Sequence, residues 1–116
     1  FSINLGTAEN NLAIHFDARF DYLGWKRTIV FNSLKAGAFG EELRESFFPL
    51  QDGSDTLVCF QFEKDKFLVQ LPTGKPLSFP VRFPIEEITY LSISYLQLKS
   101  ITINEASRNR GAACPT

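Results

Sequence analysis

The 116 residues suit one domain, and 44% hydrophobic residues are enough to bury a core. Twelve basic against thirteen acidic residues, a formal charge of −1, exclude the clustered basic surface that a nucleic-acid binder needs. No apolar run approaches the roughly 20 residues that span a bilayer, which excludes membrane insertion.

Twelve Phe and no Met tilt the composition toward strands, because aromatic and β-branched side chains fit a pleated, half-buried surface. Residues 1–6 lack the charged start and apolar stretch of a signal peptide. The first alternating run is Leu12-Ala13-Ile14-His15-Phe16-Asp17-Ala18-Arg19-Phe20. Successive strand side chains point to opposite faces, so Leu12, Ile14, Phe16, Ala18 and Phe20 face a core while Ala13, His15, Asp17 and Arg19 face outward. Residues 28–33 repeat the device, with Ile29 and Phe31 inward and Val30 and Asn32 outward, and Ala36-Gly37 makes a turn. Strands follow at 56–63 and 66–71, then a turn at Pro72-Thr73-Gly74-Lys75, where Pro presets φ and Gly accepts positive φ. Residues 76–80 read as an edge strand, since Pro cannot donate to a ladder. Residues 85–88 read as one helical turn, and 89–94 and 96–103 as two last strands. Many short strands at regular spacing, without a sustained helical period, mean an all-β fold: a two-sheet antiparallel sandwich or a barrel. From 104 to 116 the residues turn small and polar and read as a disordered tail. Cys59 sits in an apolar run and Cys114 in that tail, so nothing in their setting argues for pairing, and a reduced, cytosolic origin follows.

The outward row His15, Asp17 and Arg19 meets Asn32 on the next strand. Beyond the turn, Phe39-Gly40-Glu41-Glu42-Leu43-Arg44 adds an aromatic ring, a carboxylate and a guanidinium. Polar residues on the solvated face of an antiparallel sheet are ordinary taken one at a time. The combination has a use, because a sugar offers hydroxyls that need both donors and acceptors, and a C–H face that can lie on a ring.

That combination resembles the galectin family of β-galactoside-binding lectins. The family's His-Phe-Asn-Pro-Arg-Phe motif stands here as His15-Phe16-Asp17-Ala18-Arg19-Phe20. Its Val-x-Asn-Ser segment stands as Val30-Phe31-Asn32-Ser33, and its Trp-Gly-x-Glu-x-Arg motif as Phe39-Gly40-Glu41-Glu42-Leu43-Arg44. Phe1-Ser2-Ile3-Asn4-Leu5-Gly6, Phe47-Phe48-Pro49-Leu50, Leu71-Pro72-Thr73-Gly74 and Leu77-Ser78-Phe79-Pro80-Val81-Arg82 are similar too, and the likeness covers residues 1–103. It implies a jelly-roll sandwich, like that of legume lectins, forming a carbohydrate-recognition domain over 1–103. The family's first two strands would lie ahead of Phe1, so the domain is expected to be incomplete at its amino end. His15, Asp17 and Arg19 would hold the axial 4-hydroxyl of galactose, and Asn32 and Glu42 the 6-hydroxyl. Arg19, Glu42 and Arg44 would reach the next sugar of lactose or N-acetyllactosamine, and the ring of Phe39 would lie under galactose. The resemblance implies glycans and glycoproteins as partners, allows a homodimer, and calls for no metal or cofactor. It also implies both cytoplasmic and extracellular occurrence through leaderless export.

Three residues depart from the family pattern: Asp17 for Asn, Ala18 for Pro and Phe39 for Trp. They leave two readings open, a lectin of weakened or altered affinity and a structural or interaction protein that keeps the fold without the sugar. An enzyme is disfavoured. Asp17 and Glu42 could imitate a glycosidase pair, but Arg19 and Arg44 flank both and hold them ionised, and an open sheet excludes little water.

Overall fold

A computed structural model of the chain describes residues 1–21, 24 and 26–103. Among these residues it has nine strands and no helix, and so no helix long and apolar enough to cross a membrane. The chain divides into two units, Phe1–Phe48 with Val81–Leu96, and Pro49–Pro80 with the described residues after Leu96.

The first unit carries a six-stranded sheet. Strands β1 (Ser2–Ala8), β2 (Asn11–Arg19) and β3 (Thr28–Lys35) form its antiparallel centre. Two short strands, β4 (Ala38–Phe39) and β5 (Leu43–Glu45), both pair with β3. Strand β9 (Tyr90–Ser94) pairs with β1. The turn between β3 and β4 has Ala36 at φ 50° and Gly37 at φ 82°. Positive φ at both central residues is the hairpin turn whose twist matches the flanking strands.

Alternation along β2 produces the expected buried face. Ile14 and Phe16 are fully buried, Leu12 and Ala18 nearly so, and Phe20 is half-buried. Phe16 meets Phe31 edge-on at 5.6 Å, and Phe20 meets Phe48 at 5.0 Å and 89°. Edge-to-face pairs of this kind add about 0.5–1.5 kcal/mol beyond the area they bury. Two outward expectations are corrected. Ala13 is buried where an irregularity between Leu12 and His15 puts an extra residue into β2. Val30 is only 1% exposed, because β3 is an interior strand and Val30 lies between Asp17 and Arg44 on its two neighbours.

The second unit holds the antiparallel sheet β6 (Cys59–Phe62), β7 (Lys66–Gln70) and β8 (Leu77–Pro80). Phe67, Val69, Leu71 and Phe79 are buried there, and Phe62 stacks on Phe67 at 4.9 Å. Gln70 Nε2 donates to the carbonyls of Leu71 and Gly74 and closes the expected turn.

Three other expectations are corrected. Residues 85–88 are not helical, since Ile85-Glu86-Glu87-Ile88 is too short to offset the cost of nucleating a helix. Residues 96–103 form no strand: they follow Tyr95 at φ 60°, and no described strand pairs with them. Cys59 is disulfide-bonded, so the reading of it as an isolated thiol falls; the chain's other cysteine, Cys114, lies outside the described residues. The tail at 104–116 lies outside them as well.

Candidate functional site

Strand β2 projects His15, Asp17 and Arg19 on its polar side, two residues apart each time. None of them enters the buried face formed by Ile14 and Phe16. The β2–β3 register sets Asn32 opposite His15, and the β3–β5 register sets Arg44 opposite Val30, itself opposite Asp17. Phe39 follows from β4, and Glu42 from the link between β4 and β5. The six-stranded sheet thus brings all seven candidate residues together.

Their charges form a chain. Arg19 Nε donates to Asp17 Oδ2 at 2.9 Å, and Arg19 Nη2 lies 3.8 Å from Glu42 Oε2. Arg44 Nη2 donates to Glu42 Oε1, also at 2.9 Å. Two cations and two anions alternate along it, so the row carries directed donors and acceptors side by side. The pairs are partly exposed and contribute little to stability, about 0–1 kcal/mol each. Beside them the Phe39 ring is 60% exposed and lies 5.6 Å from the His15 ring, tilted at 56°.

Asn32, expected to face solvent, is only 5% exposed. Its Oδ1 accepts from the Ser33 N–H at 2.7 Å and from Arg82 Nη1 at 3.3 Å, which leaves Nδ2 as the end of the amide that can donate to a ligand. The same Arg82 guanidinium donates to Ser33 Oγ at 3.1 Å and to the Glu41 carbonyl at 2.6 Å. It therefore fastens the segment that carries Glu42 to the strand that carries Asn32. Gly40 makes this possible: a Cβ there would lie 2.8 Å from Arg82 Nη1 and 3.1 Å from Ser33 Oγ.

His15 has its own support. Its Nδ1 is hydrogen-bonded to Asn4 Oδ1, and Asn4 Nδ2 donates to Ser92 Oγ at 3.1 Å. Ser92, Asn4, His15 and Asn32 stand opposite one another in register, a polar row across four strands. Burial holds the His15 pKa below its ordinary 6.5; Asp17 opposes this, Arg19 reinforces it, and Glu42 opposes it less. The imidazole is therefore neutral at neutral pH.

Arg82, Asn4 and Ser92 were not legible as site residues. Arg82 closes the family-like segment 77–82, but it is 50 positions from Asn32 and nothing local shows that it reaches that residue. Asn4 had a signal, the alternation Ser2-Ile3-Asn4-Leu5, which reads as a strand with Asn4 on its polar side. Among the described residues, no group of three His, Cys, Asp or Glu could hold a metal ion.

A neutral imidazole, a row of guanidinium and carboxylate groups, and an exposed ring offer donors, acceptors and an apolar face side by side, the chemistry that a sugar's hydroxyls and C–H bonds call for. Residues 1–103 match the galactoside-binding lectin family. Galectin-1 of Rhinella arenarum is 43% identical over 102 residues, 88% of this chain and 76% of that one. Galectin-1 of Bos taurus is 48% identical over 92 residues, 79% of this chain and 68% of its own. A toad ovary galectin solved in complex with thio-digalactose superimposes with a TM-score of 0.73 at 41% identity, covering 78% of this chain and 67% of that one. The chain belongs to the galactoside-binding lectin family, the galectins, and is a β-galactoside-binding lectin with their all-β, two-sheet fold.

Proposed function

We propose that His15, Asp17, Arg19, Asn32, Phe39, Glu42 and Arg44 form the sugar-contacting site, and that it binds lactose-type β-galactosides weakly and without catalysis. The observation that carries this reading is the Asp17–Arg19–Glu42–Arg44 chain lying beside His15 and an exposed Phe39 ring. A hydroxyl seated between Arg19 and His15 accepts from the guanidinium and donates to the imidazole. Asn32 Nδ2 and Glu42 supply a donor and an acceptor for a second hydroxyl. The Phe39 ring offers its face to the sugar's C–H bonds. Catalysis is disfavoured because both carboxyls are committed to guanidinium partners, whereas a glycosidase needs one with a proton to give. Glycans displayed on glycoproteins at the cell surface are the natural targets, and the disulfide at Cys59 suits an oxidising compartment.

Weak affinity follows from two residues. Asp17 is an acceptor-only carboxylate already occupied by Arg19, and it must be partly desolvated by any ligand that covers it. Phe39 offers less ring area than the family's Trp. Calorimetric titration with lactose tests the reading on the starting protein and on the double variant Asp17→Asn, Phe39→Trp. The double variant is expected to bind about tenfold more tightly, a gain of about 1.4 kcal/mol. No gain, together with no retention of either protein on immobilised lactose, would overturn the site assignment in favour of a fold kept without its sugar.

A further inference from the structure

We propose that Asn4, backed by Ser92, is a positioning residue that fixes which ring nitrogen of His15 meets the ligand. The proposal rests on the galactoside reading of the site and concerns a residue that touches no sugar in it. Three observations carry it. Asn4 Oδ1 sits on His15 Nδ1, Asn4 Nδ2 is spent on Ser92 Oγ, and the strand register places the three side chains opposite one another.

An amide oxygen can only accept, so a neutral imidazole facing it must carry its proton on Nδ1. The other nitrogen, Nε2, then presents a lone pair. With the proton on Nε2 instead, two lone pairs would oppose each other at a half-buried contact. Ser92 engages the other end of the amide by accepting from Nδ2. On the far side, the guanidinium of Arg19 can only donate, while the carboxylates of Asp17 and Glu42 accept. Placed beside those groups, His15 supplies an uncharged acceptor. A group bound between Arg19 and His15 must accept from one and donate to the other, which a hydroxyl does and an ether, a ketone or a fluorine does not. The hydroxyl specificity of the face is thus set in part from the neighbouring strand, by Asn4.

The chain contains a single histidine, so its imidazole nitrogens are identified without assignment work. Long-range 1H–15N spectra of the labelled protein at neutral pH should show a protonated Nδ1 and an unprotonated Nε2. In Asn4→Leu the two nitrogens should move toward averaged positions as both tautomers become populated. Lactose titration should show an affinity about fivefold to tenfold lower. Asn4→Asp keeps an acceptor on Nδ1, with the Ser92 hydroxyl turning round to donate, and should restore the Nδ1 signature. Ser92→Ala should shift the tautomer balance in the same direction as Asn4→Leu, by less, and covers the case in which Asn4→Leu fails to fold. A starting protein with its proton on Nε2, or an Asn4→Leu protein unchanged in both spectrum and affinity, overturns the proposal. A starting protein that binds no lactose yet loses its Nδ1 signature in Asn4→Leu supports the role of Asn4 at His15 and overturns the galactoside reading alone.

Discussion

Replacing Arg19 by Lys separates what this residue does for the fold from what it does for the ligand. In the structure the guanidinium spans Asp17 at 2.9 Å and Glu42 at 3.8 Å with different nitrogens of one planar fork. A single ammonium on a flexible stem cannot reproduce that span. The stability at stake is small, because the Arg19 side chain is 23% exposed and its partners 21% and 42%. Partly solvated pairs are worth roughly 0–1 kcal/mol each, so the melting temperature should fall by no more than about 4–8 °C for a domain of this size. Binding should respond far more strongly. A hydrogen bond to a charged group is worth about 1.5–3 kcal/mol, and a ligand held by two of them loses about 3 kcal/mol or more, at least a hundredfold. For a weak binder that puts lactose beyond calorimetric detection. Scanning calorimetry and lactose titration on the same preparation would measure both quantities. Unchanged affinity in Arg19→Lys would remove Arg19 from the site, and a collapse of the melting temperature would show that its role is structural.

Gly40→Ala should push the Arg82 guanidinium off Asn32, Ser33 and Glu41, since the new Cβ would stand 2.8 Å from Nη1. The expected cost is about 1–2 kcal/mol in denaturant unfolding, with weaker lactose binding, and an unchanged unfolding midpoint would refute the account of Arg82 as a fastener. The pH response of His15 has a definite sign. Its folded pKa lies below 6.5, so the unfolded chain takes up the proton first. The stability tied to this residue is complete above about pH 6.5 and is lost as pH falls through the lowered folded value. Denaturation curves of the starting protein and of His15→Gln at neutral and acid pH should differ in slope over that window, and parallel curves would contradict it.

The parts of this molecule that a sequence can show are those governed by one strand at a time. Alternation along residues 12–20 gave β2 and its buried face because burial there follows the period-two geometry of the backbone. The same geometry put His15, Asp17 and Arg19 on a common side, where Asp17 and Arg19 pair. What alternation cannot give is whether the outward side is covered. Val30 and Asn32 point away from Ile29 and Phe31, yet both are buried, one by the strands on either side and the other beneath Arg82. Arg82 comes from a segment that joins no strand, and its three acceptors lie about forty to fifty positions upstream. Strand formation has the same dependence on distant partners: residues 96–103 alternate as well as β9 does, but alternation without a ladder leaves the backbone groups to solvent. The motifs that mark a galactoside site are local because each occupies one strand or one turn. The groups that hold those motifs in working geometry, Asn4, Ser92 and Arg82, act across the sheet and become visible only once the register is known.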